Sequence, residues 1–318
     1  MASHPTLDTF EIGAGTSAWG DTRAWRYGRT YRDADLKASF HSAIASGVRL
    51  FDTAEIYGFG RSESLLGRFI AETDQAVSIA TKFFPYPWRV AGSQLLAALR
   101  GSLARLGVSQ VALYQIHWPV GPRSPAFWME PLAAAVAEGL VKEVGVSNYS
   151  ASQMRAAFEQ LAARGVKLAS NQVEYSLLRR NVEFDGVLAA CRELNVKLVA
   201  YRPLATGVLS GKYTPHAPPP GVRRLRFRRS LLSDLEPLVT LLQELGRANG
   251  NRTTNQVALN WLICQGALPI PGAISAAQAS ENAGAAGWRL RPGDVAALSE
   301  ASSRLASRYL GQGPGASG

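Results

Sequence analysis

Four side chains in this sequence are of the right types to pass a proton to a carbonyl oxygen: Asp52, Tyr57, Lys82 and His117. A tyrosine with its ordinary pKa of about 10 is a poor acid at neutral pH. A neighbouring ammonium stabilises the phenolate and lowers that value, while a carboxylate keeps the ammonium charged and aimed. Asp52 and Lys82 beside Tyr57 would therefore give an acid able to protonate a developing alkoxide, with His117 orienting the carbonyl oxygen or helping to relay the proton. Each residue alone has an ordinary structural role. A strand-end Asp caps the next helix, a Lys pairs with it, a loop Tyr packs, and a lone His fills space. The chemistry depends on the four meeting.

The elements that carry them bring them together. Short β-rich runs alternate with helical patterns, the order of a parallel sheet. Strands are expected at 12–15, 48–52, 76–82, 111–117, 141–147, 168–173, 196–201 and 267–271. Helices are expected near 62–71, 92–106, 125–138, 182–194, 231–248, 254–264, 276–286 and 292–306. A further one is opened by Ser150 with Gln153 three residues on, a capping-box pairing. Eight strands with intervening helices and no linker predict an α/β (β/α)8 TIM barrel, with extra helices and a long Pro/Gly/Arg-rich loop over 203–230 after strand 7. Enzymes on this barrel carry their catalytic groups at the C-terminal ends of the strands. Asp52 ends the second strand, Lys82 the third and His117 the fourth, with Tyr57 just beyond Asp52. An open dinucleotide-binding sheet is excluded, because Gly13-Ala14-Gly15 and Gly58-Phe59-Gly60 each begin G-x-G-x-x-G without its third glycine. One barrel domain is expected over 1–310, followed by a flexible Gly/Ser/Pro-rich tail at 311–318.

Composition limits the function classes. With 318 residues, 47% of them hydrophobic and 18% charged, the chain can bury a sizeable core. No apolar run approaches the roughly 20 residues that span a bilayer, so no membrane is expected. Lys and Arg number 34 against 24 Asp and Glu, for a net charge of +10. Arg223, Arg224, Arg226, Arg228 and Arg229 carry half of that excess within seven positions. No zinc-finger, helix-turn-helix or RNP-type motif accompanies them, so the reading is no nucleic acid. Cys191 and Cys264 read as buried reduced thiols, and no metal is expected. The first residues lack an apolar signal stretch. The expectation is a cytoplasmic protein, or a chloroplast one if a transit peptide has been removed, acting as a monomer or weak oligomer.

Asp52-Thr53-Ala54-Glu55-Ile56-Tyr57-Gly58, Ala80-Thr81-Lys82 and Gln115-Ile116-His117-Trp118-Pro119 closely resemble the three segments that hold the catalytic tetrad of the aldo-keto reductases. The likeness runs on through Gly145-Val146-Ser147-Asn148, Asn171-Gln172-Val173-Glu174-Tyr175, Tyr201-Arg202-Pro203-Leu204, Ile270-Pro271-Gly272-Ala273 and Glu281-Asn282, from about residue 8 to 305 and in the family's order. It is most similar to the plant and cyanobacterial branch.

This resemblance implies hydride transfer from a reduced nicotinamide to a small-molecule carbonyl substrate, with Tyr57 as proton donor. NADPH is the implied cofactor. Ser147, Asn148 and Gln172 match the residues that hold the carboxamide, and Tyr201 the ring that stacks on the nicotinamide. Pro203, Leu204, Gly207, Leu209, Gly211 and Lys212 match the pyrophosphate loop. Gly272, Gln278, Glu281 and Asn282 match the segment around the adenosine and its 2′-phosphate. Trp19 and Trp118 are expected to line an aromatic substrate pocket. Three residues depart from the pattern. Ser17 stands where tryptophan is common, Arg202 replaces a small residue, and Ile274 replaces the basic residue that meets the 2′-phosphate and so admits NADH. The alternative is a nucleotide-binding regulatory subunit resembling the potassium-channel β subunits, with little turnover.

Overall fold

The computed structural model describes residues 6–219 and 227–309. Eight parallel strands follow one another in space in chain order: β1 (Ala14–Gly15), β2 (Leu50–Asp52), β3 (Ser78–Phe83), β4 (Val111–Ile116), β5 (Val141–Ser147), β6 (Leu168–Glu174), β7 (Lys197–Tyr201) and β8 (Leu268–Pro269). The sheet closes on itself. Gly13 and Gly15 donate their N–H groups to the carbonyls of Pro269 and Pro271, each at 3.0 Å, and Gly15 bridges to Gly272 in parallel. A Cβ on Gly15 would come within 2.9 Å of the Ile270 carbonyl, so the seam requires a glycine there. The last strand is shorter than the expected 267–271. Pro269 and Pro271 have no N–H to give a ladder, and only their carbonyls take part.

Around the sheet run α1 (Asp33–Ala45), α2 (Arg61–Ile70), α3 (Gly92–Leu106), α4 (Met129–Ala137), α5 (Ala151–Ala162), α6 (Asn181–Phe184), α7 (Val187–Glu193), α8 (Arg229–Ala248), α9 (Thr254–Cys264), α10 (Ala276–Ala283) and α11 (Pro292–Tyr309). Ser150 caps α5 through the expected box with Gln153. The helix expected over 182–194 is two helices. Gly186 adopts φ +84° between them, and Asp185 accepts from the Val187 N–H at 3.1 Å to start the second. The sequence reading passed over α1, whose Leu36, Phe40, Ala43 and Ile44 form a buried face at helical spacing.

The apolar residues divide into two cores. The larger fills the layer between sheet and helices. The smaller, made of Leu7, Leu50, Ala80, Leu113, Ala169, Val199, Leu268 and Ile270, is the interior of the barrel. Leu7 lies in a short N-terminal turn, where its N–H donates to Glu143 Oε2 at 3.1 Å. Because side chains alternate along a strand, Leu50 inside β2 places Asp52 inside one level up, and Ala80 does the same for Lys82 on β3. The tail at 311–318 and the basic positions Arg223, Arg224 and Arg226 lie outside the described residues.

Candidate active site

Above the apolar interior the barrel holds a buried charge pair. Lys82 Nζ donates to Asp52 Oδ1 at 2.5 Å and to the Thr53 carbonyl at 2.7 Å. Its side chain is fully buried, and that of Asp52 is 4% exposed. The second carboxylate oxygen, Oδ2, accepts from Gln172 Nε2 at 2.8 Å. Gln172 lies on β6, four strands from β2, so this bond crosses the barrel and leaves Gln172 Oε1 as the free end of the amide.

Tyr57 stands over the pair at the start of a short turn, Tyr57–Gly60. The Lys82 ammonium lies 5.1 Å from the phenol ring centre. The His117 ring meets Tyr57 edge-on with centroids 5.6 Å apart. Gly58 and Phe59 take φ near +56° and +57°, and a Cβ on Gly58 would meet the Gly20 carbonyl at 2.9 Å. That tight turn is what brings Tyr57 back over the barrel. All four expected tetrad residues therefore converge.

The electrostatics correct one expectation. The Tyr57 pKa is raised, not lowered. Burial of the phenol is the largest cause; the Lys82 ammonium opposes it and Asp52 adds to it. The low-dielectric site disfavours phenolate more than one ammonium can offset, since that ammonium is itself neutralised by Asp52. Lys82 is pulled down by its own burial and pushed up by Asp52 and Tyr57, and the net is upward. It stays charged. Burial, with the Lys82 charge as a second cause, drives His117 well below the ordinary histidine value. Its imidazole is neutral, and Nδ1 has no hydrogen-bond partner among the described residues. The site thus combines a protonated phenol, a fixed ammonium to receive the phenolate, and a neutral ring beside both.

The residues expected to hold a nicotinamide form one network with this group. Ser147 Oγ donates to the Gln172 carbonyl at 2.8 Å. Asn148 Nδ2 donates to Ser147 Oγ at 3.0 Å and to the His117 carbonyl at 3.1 Å. Tyr201 donates its hydroxyl proton to Asn148 Oδ1 at 3.0 Å, which leaves the ring partly exposed at the end of β7. Asn148 sits at φ +62°, a left-handed backbone that asparagine tolerates. The loop after β7 is left-handed at Arg202, Ala205 and Thr206 as well as at Gly207 and Gly211. A Cβ on Gly207 would fill space 3.9 Å from the Lys212 ammonium, so an open backbone turn faces a cation, which suits a phosphate. Pro203 and Leu209 are buried supports of that loop.

Farther along, Gly272 is exposed beside the seam and Asn282 Nδ2 reaches its carbonyl at 3.4 Å. Ser275 caps α10 by accepting from the Gln278 N–H at 3.4 Å, and Gln278 Oε1 accepts from the Ile274 N–H at 2.9 Å. Glu281 is partly exposed on the same helix. The amide network around Asn148 fits a carboxamide, and the open turn at Gly207 beside Lys212 fits a phosphate. The segment from Gly272 to Asn282 carries no Lys or Arg, and its one charged side chain is Glu281.

Trp118 is 40% exposed just beyond β4. Trp19 is buried. It is 2% exposed, donates its indole N–H to the Ala273 carbonyl at 3.0 Å and packs on Phe51 and Phe69. A large apolar ring with its one polar group satisfied belongs in the layer between sheet and helices, and Trp19 lines no pocket with Tyr57. Sequence reasoning also missed a support. Glu55 pairs with Arg89 and accepts from the Phe84 N–H at 2.7 Å, tying the loop that carries Tyr57 to the loop after β3. Glu55 was visible in the motif, but a partner 34 positions away gives no local signal.

A model of the aldo/keto reductase family matches residues 11–303. The chain belongs to the aldo/keto reductase family. It is 41% identical over 298 residues to the chloroplastic pyridoxal reductase of Arabidopsis thaliana, covering 89% of this chain and 80% of that one. Among solved structures it resembles the glycerol dehydrogenase of Gluconobacter oxydans, with a TM-score of 0.81 at 27% identity, over 93% of this chain and 92% of that one. An aldo-keto reductase of Klebsiella pneumoniae, solved in complex with NADPH, matches with a TM-score of 0.72 at 28% identity, over 91% and 90% of the two chains. Among the described residues no helix is long and apolar enough to cross a membrane, and no group of three or more His, Cys, Asp or Glu could hold a metal ion.

Proposed function

We propose that this chain reduces aldehydes or ketones to alcohols, with NADPH as hydride source and Tyr57 as proton donor. One observation carries the reading: a buried Asp52–Lys82 pair directly beneath Tyr57, with neutral His117 edge-on to it at the C-terminal mouth of a closed barrel. The reduced nicotinamide supplies the hydride. Ser147, Asn148 and Gln172 would hold its carboxamide and Tyr201 its face, while the loop through Gly207 and Lys212 would take the pyrophosphate. Gly272, Gln278, Glu281 and Asn282 would flank the adenosine.

A phenol with a raised pKa is fully protonated at neutral pH and keeps its proton until a stronger base forms. The alkoxide oxygen is that base. As the O–H proton leaves Tyr57, charge builds on the phenolate oxygen, and Lys82 is already aimed to stabilise it. Asp52 keeps Lys82 charged, and Gln172 and Thr53 fix the pair so that nothing reorganises during the transfer. His117, unable to take up a proton near neutrality, orients the carbonyl oxygen from the side.

Ile274 gives no charge to a 2′-phosphate, so the preference for NADPH over NADH rests on Gln278, Ser275 and backbone N–H groups at the start of α10. Two unbridged thiols, Cys191 and Cys264, suit a reducing compartment, the cytoplasm or the chloroplast. We take the protein to work as a monomer or weak oligomer on small carbonyl compounds. The test is oxidation of NADPH and of NADH across a panel of aldehydes, ketones and pyridoxal. Turnover with NADPH ahead of NADH supports the proposal; tight cofactor binding with no turnover of any carbonyl would favour a regulatory subunit instead.

A further inference from the structure

The mouth of the barrel is chemically two-sided. Trp118 follows β4, and the Tyr86–Trp88 pair follows β3, its rings stacked 4.6 Å apart with Trp88 67% exposed. Trp88 and Trp118 offer exposed ring surface on this side, with the Arg89 guanidinium 5.2 Å from the centre of the Tyr86 ring. In a closed eight-stranded sheet β3 and β7 are four strands apart, on opposite sides of the opening. On the β7 side stands Arg202.

Arg202 sits at the end of β7 with φ +49°, a left-handed backbone that turns the chain at the rim. Its side chain is 49% exposed, and its guanidinium lies 5.9 Å from the centre of the Tyr201 ring. It comes within 3.8 Å of Glu174 Oε1, beyond hydrogen-bond reach, and donates no hydrogen bond among the described residues. Arg179 approaches the same carboxylate at 3.8 Å, so at least two guanidinium groups face Glu174 among the described residues. Arg202 is also close enough to the Tyr57 phenol for its charge to act there. A half-exposed planar cation at the β7 side of the mouth, whose donors make no hydrogen bond among the described residues, is placed to receive an anion.

We propose that Arg202 selects carbonyl substrates bearing an anionic oxygen group, a carboxylate or a phosphate, on an aromatic or otherwise apolar body. The body lies on the Trp118 and Trp88 side, the anion pairs with Arg202, and the carbonyl is presented to Tyr57. This rests on the reductase reading above.

The experiment compares matched substrates with saturating NADPH: benzaldehyde with 4-carboxybenzaldehyde, and pyridoxal with pyridoxal 5′-phosphate. The wild type should favour the charged member of at least one pair, and the pair identifies the carboxylate or the phosphate as the recognised group. Arg202→Asn keeps a residue that tolerates the left-handed backbone. It should lower the charged-to-neutral ratio of kcat/KM about tenfold, the worth of one half-exposed charge-assisted contact. Arg202→Lys should recover part of the ratio. A ratio unmoved in both pairs overturns the proposal, as does an Arg202→Asn variant whose only change is weaker NADPH binding in a fluorescence titration. A binding arm separates this inference from the reductase reading: 4-carboxybenzyl alcohol and benzyl alcohol are titrated calorimetrically into the protein with NADP+. Arg202-dependent preference for the acid without turnover of any aldehyde would sustain the anion site and reject the reductase. Equal binding of the two alcohols, together with no phosphate preference in the pyridoxal pair, would reject the anion site.

Discussion

Splitting the buried pair is the perturbation whose magnitude the structure sets most directly. Asp52→Asn leaves the Lys82 ammonium wholly buried, with the Thr53 carbonyl at 2.7 Å as its remaining strong acceptor. Lys82→Met leaves the Asp52 carboxylate with the Gln172 amide at 2.8 Å and no countercharge. An uncompensated buried charge costs about 3–5 kcal/mol, and each single variant should lose that much. The double variant buries no charge. Its loss should fall short of the summed singles by roughly 2–3 kcal/mol, at the upper end of measured couplings because the atoms are in direct contact. Urea unfolding at neutral pH, followed by the fluorescence of the seven tryptophans, measures all four proteins. Singles that each lose under about 1 kcal/mol and add in the double would refute the reasoning, because they would describe a solvated surface pair.

Lys82→Met should also move the alkaline titration of activity upward. Carbonyl reduction uses the protonated phenol, so it persists to the raised Tyr57 pKa and falls above it; alcohol oxidation uses the phenolate and climbs with pH. Removing the larger of the two charges that oppose the rise shifts both midpoints up, and an unmoved pH profile would make Lys82 structural only. Ile274→Arg should raise the NADPH to NADH affinity ratio about tenfold, or about 1.4 kcal/mol, in paired fluorescence titrations; an unchanged ratio would remove Ile274 from the phosphate site. Trp19→Ala should cost about 3–5 kcal/mol in stability as a core truncation. Trp118→Ala should stay within about 0.5 kcal/mol while raising KM for aromatic aldehydes, and the reverse pattern in denaturation and kinetics would return Trp19 to the pocket.

Much of this architecture can be read from strand periodicity. Alternation along β2 and β3 puts Asp52 and Lys82 on the inner face whatever the tertiary details, and the order of the strands brings Tyr57 and His117 to the same rim. The parts that escaped the sequence are those set by distant partners. Trp19 looked like a mouth residue because its loop follows β1, but the carbonyl of Ala273 and the rings of Phe51 and Phe69 draw it inward. Helix α1 was hidden by the aromatic-rich loop before it and by the buried Ser39 in its apolar face. The direction of the Tyr57 shift needed the balance between burial and one paired ammonium, and burial is a property of the assembled barrel. Gln172 fitted the carboxamide pattern, while its bond to Asp52 across the barrel joins residues 120 positions apart.

The central claim is that Tyr57 gives the proton. Tyr57→Phe removes one oxygen from the site and leaves Ser147, Asn148, Gln172 and the loop after β7 intact. With a saturating aldehyde, kcat for NADPH oxidation should fall roughly 10²–10⁴-fold, the usual worth of general acid catalysis, while NADPH affinity measured by fluorescence quenching stays as in the wild type. A phenylalanine variant that keeps most of its turnover would contradict the account.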